Sequence, residues 1–491
     1  MPCTMPFPRT ALKSIRSSFV RSTTLCVLLI ASACAAGAQT LVVRSVFIIN
    51  VENGRIDKNV DVLVEHGMVV RIGHRLKAAP ETVVVEGHNR FLIPGLWDMH
   101  VHTTGLSASP EWSRRVLLLL IANGVTGVRD MGGDLEALQS WRNDIAAGKL
   151  LGPRIIAAGP MLDGEADGPS ILTTRNPEEG RRAVDDLVGR KADFIKVLGN
   201  LDRSTYFAIA EESKQRNIAF SGHVPPVIST VEASNAGQKS IEHILYGGFA
   251  LACSSQEQQL RPQMVAAMKS GAIRNVAKVE DAALATFSEE KSNVLWETLR
   301  RNQTWVVPTL VSTFVSAHMD KLAEEDANAD YLPESFTKHW TRSQLQSALQ
   351  PDKIEWYRRQ LSAQIKTVHA MYGAGVRILA GTDAVDTHNV VGFSLPKELE
   401  LLVEAGLTPL QALQSATMEP ARYFGRRDLG SIAVGKVADL LLLSANPLDD
   451  IRHLKSIEAV VVAGRLLKRE ELDSMLSELR QPSATKVQPA P

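Results

Sequence analysis

Two histidines stand one residue apart in Asp98-Met99-His100-Val101-His102, directly after the apolar run Phe91-Leu92-Ile93-Pro94-Gly95-Leu96. Side chains of a strand alternate, so His100 and His102 project from one face at its end. Two imidazoles so placed can bind one divalent ion. Four further groups follow, Lys196, His223, His243 and Asp383, each closing its own strand-like apolar run. A histidine pair alone is weak evidence, a lone strand lysine is ordinarily a salt-bridged one, and Asp383 could cap the next helix. The whole set in this order points to a metal centre. Asp98 could hold a ligating histidine by its far nitrogen or sit in a turn, and stands outside the ligand set.

The elements that must position these groups are strands. Runs ending at His102, Asp130, Gly159, Leu198, His223, Ile244, Leu310 and Asp383 alternate with helical patterns such as Trp112 to Ala122 and Leu395 to Ala405. Eight strand–helix repeats predict an α/β fold, a (β/α)8 TIM barrel over residues 94–430, whose working residues lie at the C-terminal ends of its strands. The candidates then come from strands one, four, five, six and eight and meet at one mouth. Residues 254–303 and 316–365 are long for connections and read as helical insertions near that mouth. Short β-branched runs at 39–93 and 431–480 predict one small β-sandwich domain completed by both chain ends. Residues 481–491 read as a disordered tail.

These residues resemble the amidohydrolase superfamily, most closely its imidazolonepropionase-like and metal-dependent Xaa-Pro dipeptidase (prolidase) branch. The resemblance covers nearly the whole chain beyond the leader. It rests on Pro94-Gly95-Leu96-Trp97-Asp98-Met99-His100-Val101-His102, Asp193-Phe194-Ile195-Lys196, Ser221-Gly222-His223, Ser240-Ile241-Glu242-His243 and Ala380-Gly381-Thr382-Asp383. Ala405-Gly406-Leu407-Thr408-Pro409-Leu410 and Val434-Gly435-Lys436-Val437-Ala438-Asp439-Leu440 echo it further. It implies two divalent metal ions, with zinc the default for such ligands and manganese or cobalt also fitting. His100, His102 and Asp383 would hold the more buried ion, His223 and His243 the more exposed one. Lys196 would bridge them as a CO2-derived carbamate, because an ammonium has no lone pair to offer a metal.

The implied reaction is hydrolysis of an amide, peptide-like bond by a hydroxide shared between the ions, with Asp383 carrying the proton to the leaving amine. The substrate would be an Xaa-Pro dipeptide or an N-acyl amino acid. Tyr246 would support the substrate carbonyl, as a tyrosine near this place does in related dipeptidases; it could equally be a packed loop residue. His388, in the loop after Asp383, is a further candidate for substrate contact. The loops Val197-Leu198-Gly199-Asn200-Leu201-Asp202 and Ile244-Leu245-Tyr246-Gly247-Gly248 depart from the family pattern, so the dipeptidase substrate does not carry over with the metal site. The alternatives are a mononuclear cyclic amidohydrolase or deaminase, a lactone or ester hydrolase, and an exported small-molecule binding protein. The deaminase lacks its usual acid, since Val224-Pro225-Pro226 follows His223.

The 491 residues carry 54 basic and 54 acidic side chains, and 45% are hydrophobic. Such a balance gives no footprint for nucleic acid. Arg9, Lys13, Arg16 and Arg21 precede the apolar run Leu25 to Ala31, and Ala36-Gly37-Ala38 offers a cleavage site. Residues 1–38 therefore read as a signal peptide, and the protein as periplasmic or secreted, with a lipoprotein anchored through Cys34 the rival reading. The apolar run is short of the ~20 residues of a membrane span. Beyond this leader only Cys253 remains, which excludes an internal disulfide and marks it as an apolar filler. A homo-oligomer stays open.

Overall fold

The structure, a computed structural model, describes residues 39–105, 109–165, 168, 170–244, 248–323, 326–340, 345–346 and 348–480. The leader through Ala38, Tyr246 and the tail after Arg480 lie outside the described residues.

Both chain ends supply strands to one eight-stranded sheet. Leu41–Ile49 lies beside Ile56–Glu65, Val83–Glu86 and Phe91–Pro94, and the last of these pairs antiparallel with Leu440–Leu443. Alternation gives the sheet two apolar faces. Leu41, Val43, Val62, Val64, Leu440 and Leu442 share a core of their own. The intervening Ile93, Leu441, Leu443 and Val460 belong to the main core. The sheet thus wraps one apolar cluster and packs its other face on the rest of the protein. The described residues close on a helix, Arg469–Leu479, inside the 431–480 stretch assigned from sequence to the β-sandwich.

The middle of the chain is α/β. Leu96–Val101, Val125–Asp130 and Arg154–Ala157 pair in parallel. Ile195–Val197, Phe220–Gly222, Ser240–Glu242 and Trp305–Val307 pair in parallel in a second sheet, extended by the short pair Met161–Asp163 and Ile171–Thr173. Residues of the four first-named strands of this second sheet are all buried, as parallel strands covered on both faces require. The eighth run, 377–383, is not a regular strand. It is held instead by bonds on both sides: Leu379 N donates to Val306 O at 3.0 Å, and Met99 N donates to Ala380 O at 2.9 Å.

The first five helices start on side-chain caps. Ser109, Asp134, Asn176, Asp202 and Ser229 each accept a bond from a backbone amide of the first turn. Pro110–Ala122 then buries an unbroken apolar series from Val116 to Ile121. The long connections are helical, as expected. Glu257–Lys269 and Ile273–Ala285 follow the Ser240–Glu242 strand, and a second insertion with Met319–Leu322 and Glu334–Thr337 follows Trp305–Val307.

Candidate metal centre

The predicted ligands converge. Asp383 Oδ1 lies 3.1 Å from His100 Nε2 and 3.3 Å from His102 Nε2, and Asp383 Oδ2 lies 3.9 Å from His243 Nε2. The His100 and His243 rings are 4.7 Å apart between centroids, and His243 and His223 are 5.0 Å apart. One donor atom each from His100, His243 and Asp383 falls within 4.8 Å of the others, a spacing that can hold an ion. Lys196 is buried on the Ile195–Val197 strand, and Glu242 and Asp383 are the acidic groups that act on its charge.

The local backbone explains how these side chains reach one point. His243 and Asp383 adopt left-handed φ values of 65° and 62°, which turn the chain sharply at the strand ends. Such conformations cost of order 1–3 kcal/mol each and persist only where the surroundings enforce them. Gly222 faces Val197 across the register. A Cβ there would stand 2.2 Å from Val197 O and 3.0 Å from Lys196 Cδ, so glycine makes room for the lysine.

Each of three histidines is oriented by its Nδ1. His102 Nδ1 donates to Gly132 O at 2.9 Å. His100 Nδ1 donates to Glu242 Oε2 at 3.0 Å. Thr309 Oγ1 gives its proton to Pro308 O at 2.8 Å, so it accepts from His243 Nδ1 at 2.7 Å. These bonds select the tautomer with a free Nε2, the form a metal takes. With Nδ1 donating to Glu242, the buried His100 Nε2 faces Asp383 Oδ1 at 3.1 Å lone pair to lone pair, an arrangement that an ion between them would satisfy. The donor set of imidazoles, carboxylate and lysine therefore fits divalent metal.

Electrostatics agree. Burial, with Lys196 and the neighbouring histidines, pushes His223 well below its ordinary value, and burial with His100 pushes His243 down to about 3. Burial thus favours the neutral form of each ring, the one with a lone pair to give. Burial opposes ionisation of Asp383, yet His243 and His100 beside it hold the carboxyl well below the usual range. Burial lowers the Lys196 amine to about 8, against the pull of Glu242 and Asp383. A partly neutral buried amine is the form that reacts with CO2.

Three residues that sequence reasoning passed over complete the centre. Arg129 is fully buried and donates to Met99 O, Ser240 Oγ, Tyr423 OH and Glu242 Oε2 at 2.6–2.9 Å. Glu242, so fixed, fixes His100, and Thr309 fixes His243. The available signal was a charged residue inside a strand beside apolar ones, which can be buried only if it is paired. Asp98, by contrast, orients no imidazole. It is a buried strand residue rather than a turn residue, and accepts from Thr382 Oγ1 at 2.7 Å and Thr382 N at 3.0 Å. It thereby staples the first strand to the 377–383 segment, and burial raises its carboxyl to about 7.

His388 lies against the second insertion. Its Nδ1 is 2.8 Å from Asp326 Oδ2, its ring is 4.5 Å from that of Trp340, and its buried Nε2 has no hydrogen-bond partner. Cys253 is buried as predicted, with its thiol pushed up to about 12 by burial. A small cavity of about 40 Å³ opens beside His223 and His243.

The fold has known counterparts. Residues 91–467 match the amidohydrolase family, and the chain belongs to that family. It is accordingly a hydrolase of carbon–nitrogen, amide-type bonds, in a family whose members generally depend on metal. Among proteins of known activity, it is 24% identical over 455 residues to ochratoxinase of Aspergillus niger, covering 80% of this chain and 78% of that protein. Among solved structures, the bottromycin amidohydrolase superposes with a TM-score of 0.72 at 22% identity, over 91% of this chain and 92% of the other. A Xaa-Pro dipeptidase with methionine bound in its active site gives a TM-score of 0.62 at 22% identity, over 88% and 100%. These likenesses, all under 25% identity, show that the fold is shared with ochratoxinase and with prolidases.

Proposed function

We propose that this chain is a dinuclear metal-dependent amidohydrolase that cleaves the amide bond of a small peptide-like substrate, an Xaa-Pro dipeptide or an N-acyl amino acid. The observation that carries the reading is the meeting of His100, His102, His243 and Asp383 within 3.1–3.9 Å, with His223 beside His243. His100, His102 and Asp383 would hold one ion, His223 and His243 the second, and Lys196 as a carbamate would join them. Forming the carbamate joins the neutral Nζ to the carbon of CO2 and releases one proton from nitrogen. Bound there, the ions supply Lewis-acid polarisation of the scissile carbonyl and a more acidic water. Asp383 takes the proton of the attacking water on its carboxylate and delivers it to the leaving nitrogen.

The reading also takes the two parallel sheets and the 377–383 segment as one closed (β/α)8 barrel and the terminal sheet as a sandwich. The bonds from Leu379 to Val306 and from Met99 to Ala380 support the former, and the separate apolar core around Val62 and Leu440 supports the latter. Export to the periplasm rests on residues 1–38, outside the described residues. No helix among the described residues is long and apolar enough to cross a membrane.

The test is metal content with the Lys196→Ala variant. We expect about two ions per purified chain, loss of at least one of them in Lys196→Ala, and a fall in kcat/KM of roughly 10²–10⁴, the worth of several kcal/mol of charge stabilisation. Full activity in Lys196→Ala would replace this reading by the single-metal one.

A further inference from the structure

The sheet built from the two chain ends carries a cleft of about 830 Å³, lined by Arg44, Asn59, Asp61, His74, Arg75 and Glu86 among others. That volume falls within the ~300–1,000 Å³ of small-molecule sites. None of its lining residues belongs to the metal centre. Its wall is charged where the sheet's two cores are apolar.

Asp61 fixes the frame of the cleft. Its carboxylate is 4% exposed and accepts from Ser45 N at 3.0 Å and from Leu76 N at 2.8 Å. Both oxygens are spent on tying the bulge in the Leu41–Ile49 strand to the turn after the Met68–Gly73 strand. Ser45, Asn59 and Arg75 hold left-handed φ values of 52°, 55° and 50° around the opening. Such conformations are costly for residues other than glycine and gather where backbone is shaped to clamp a ligand. His74 Nδ1 donates to Asn59 O at 2.8 Å, which leaves its Nε2 as an acceptor.

The remaining charges on the wall have no partners. Arg44 and Glu86 stand opposite each other in the parallel register of Leu41–Ile49 and Val83–Glu86. Opposite charges so placed ordinarily attract and pair. Among the described residues neither of them forms an ion pair, and Arg75 forms none. Arg44 Nε is buried without a hydrogen-bond partner. A simple anion would leave Glu86 repelling it, and a simple cation would meet two guanidiniums. A ligand that carries both signs satisfies all three.

We propose that this cleft binds a small zwitterion of the amino-acid class, its carboxylate on Arg44 and Arg75 and its ammonium on Glu86 and His74 Nε2. A guanidinium suits the carboxylate because its N–H groups match the two oxygens side by side. The site stands apart from the reaction and does not depend on the metal-centre reading.

The test uses ω-amino acids, which have no amide bond to cleave. Binding of 4-aminobutanoate and 6-aminohexanoate is measured by calorimetry on the metal-loaded protein, beside butanoate, hexanoate and the amines of the same lengths. At least one zwitterion should bind with a Kd of about 1–10 mM. Its carboxylate and amine counterparts should bind about fivefold more weakly, the worth of one exposed ion pair. Arg44→Gln, Arg75→Gln and Glu86→Gln should each weaken the zwitterion about tenfold, the worth of one charged hydrogen bond, with bound metal per chain unchanged. Failure of both zwitterions to bind, or an affinity unmoved in Arg44→Gln and Arg75→Gln, overturns the site; capture of the carboxylate by the metal centre would give the second of these results. A carboxylate as tight as its zwitterion, or Glu86→Gln without effect, overturns the zwitterion class.

Discussion

Replacing Arg129 by methionine tests whether the charge network beneath the ligands is what holds them. The guanidinium is fully buried and its four bonds reach Met99, Ser240, Tyr423 and Glu242. Glu242 is equally buried, and Arg129 and His100 hold it well below the usual carboxylate range even though burial opposes its charge. Arg129→Met strands that carboxylate in a dry interior. Removing one partner of such a pair costs ~3–5 kcal/mol, whereas replacing both by uncharged groups removes the uncompensated charge as well. The double variant Arg129→Met/Glu242→Gln should therefore be less destabilised than the sum of its singles by about 2 kcal/mol or more, the coupling of groups in one network. Urea unfolding of metal-free protein, followed by circular dichroism, reads the stabilities. A chelator competition on the same proteins reads His100, whose ion should bind about 10- to 100-fold more weakly once Glu242 is replaced. A cost of Arg129→Met below about 1 kcal/mol, or strict additivity of the two changes, would refute the network argument.

Thr309→Val removes the acceptor of His243 Nδ1, so the ion held by His243 should bind about 10- to 100-fold more weakly, and Thr309→Ser should restore it; the measurement is competition against a chromophoric chelator. Glu398 accepts from Val311 N at 2.7 Å, and burial raises its carboxyl from 4.5 to about 8. The folded state thus holds a proton that the unfolded state has released. Its contribution is complete below pH 4.5 and is lost as pH rises towards about 8. Glu398→Gln abolishes this slope, so the urea midpoint of the variant should climb relative to wild type between those pH values, by up to ~1.4 kcal/mol per pH unit. Parallel midpoints across that range would sink the assignment.

The centre was legible because its chemistry is written in single positions: a ligand must end a strand, and its residue type must offer a lone pair. His100, His102, His223, His243 and Asp383 satisfy both conditions without reference to any neighbour. Lys196 stands mid-strand in Ile195–Val197 and offers no lone pair unless its amine is modified, so its proposed role came through the resemblance. Arg129 and Glu242 were not legible as partners, because 113 positions separate them and only the fold makes them meet. The same holds for Asp98, whose partner Thr382 is 284 positions away. The helix Arg469–Leu479 went unread for another reason. Leu472, Met475, Leu476 and Leu479 recur at helical spacing, and Leu472 and Leu479 are buried, but the β-branched runs just before them set the expected texture for the whole end of the chain.

These differences separate what each part of the chain is asked to do. Arg129, Glu242, Lys196 and Asp98 are all buried and ionisable, and a core of the same volume built from apolar side chains would be at least as stable. Left-handed turns at His243, Thr309 and Asp383 add strain at the same spot. A structural role gives no reason for this concentration of cost; the holding of cations does, because ligands, their orienting partners and their turns must then all occupy one place.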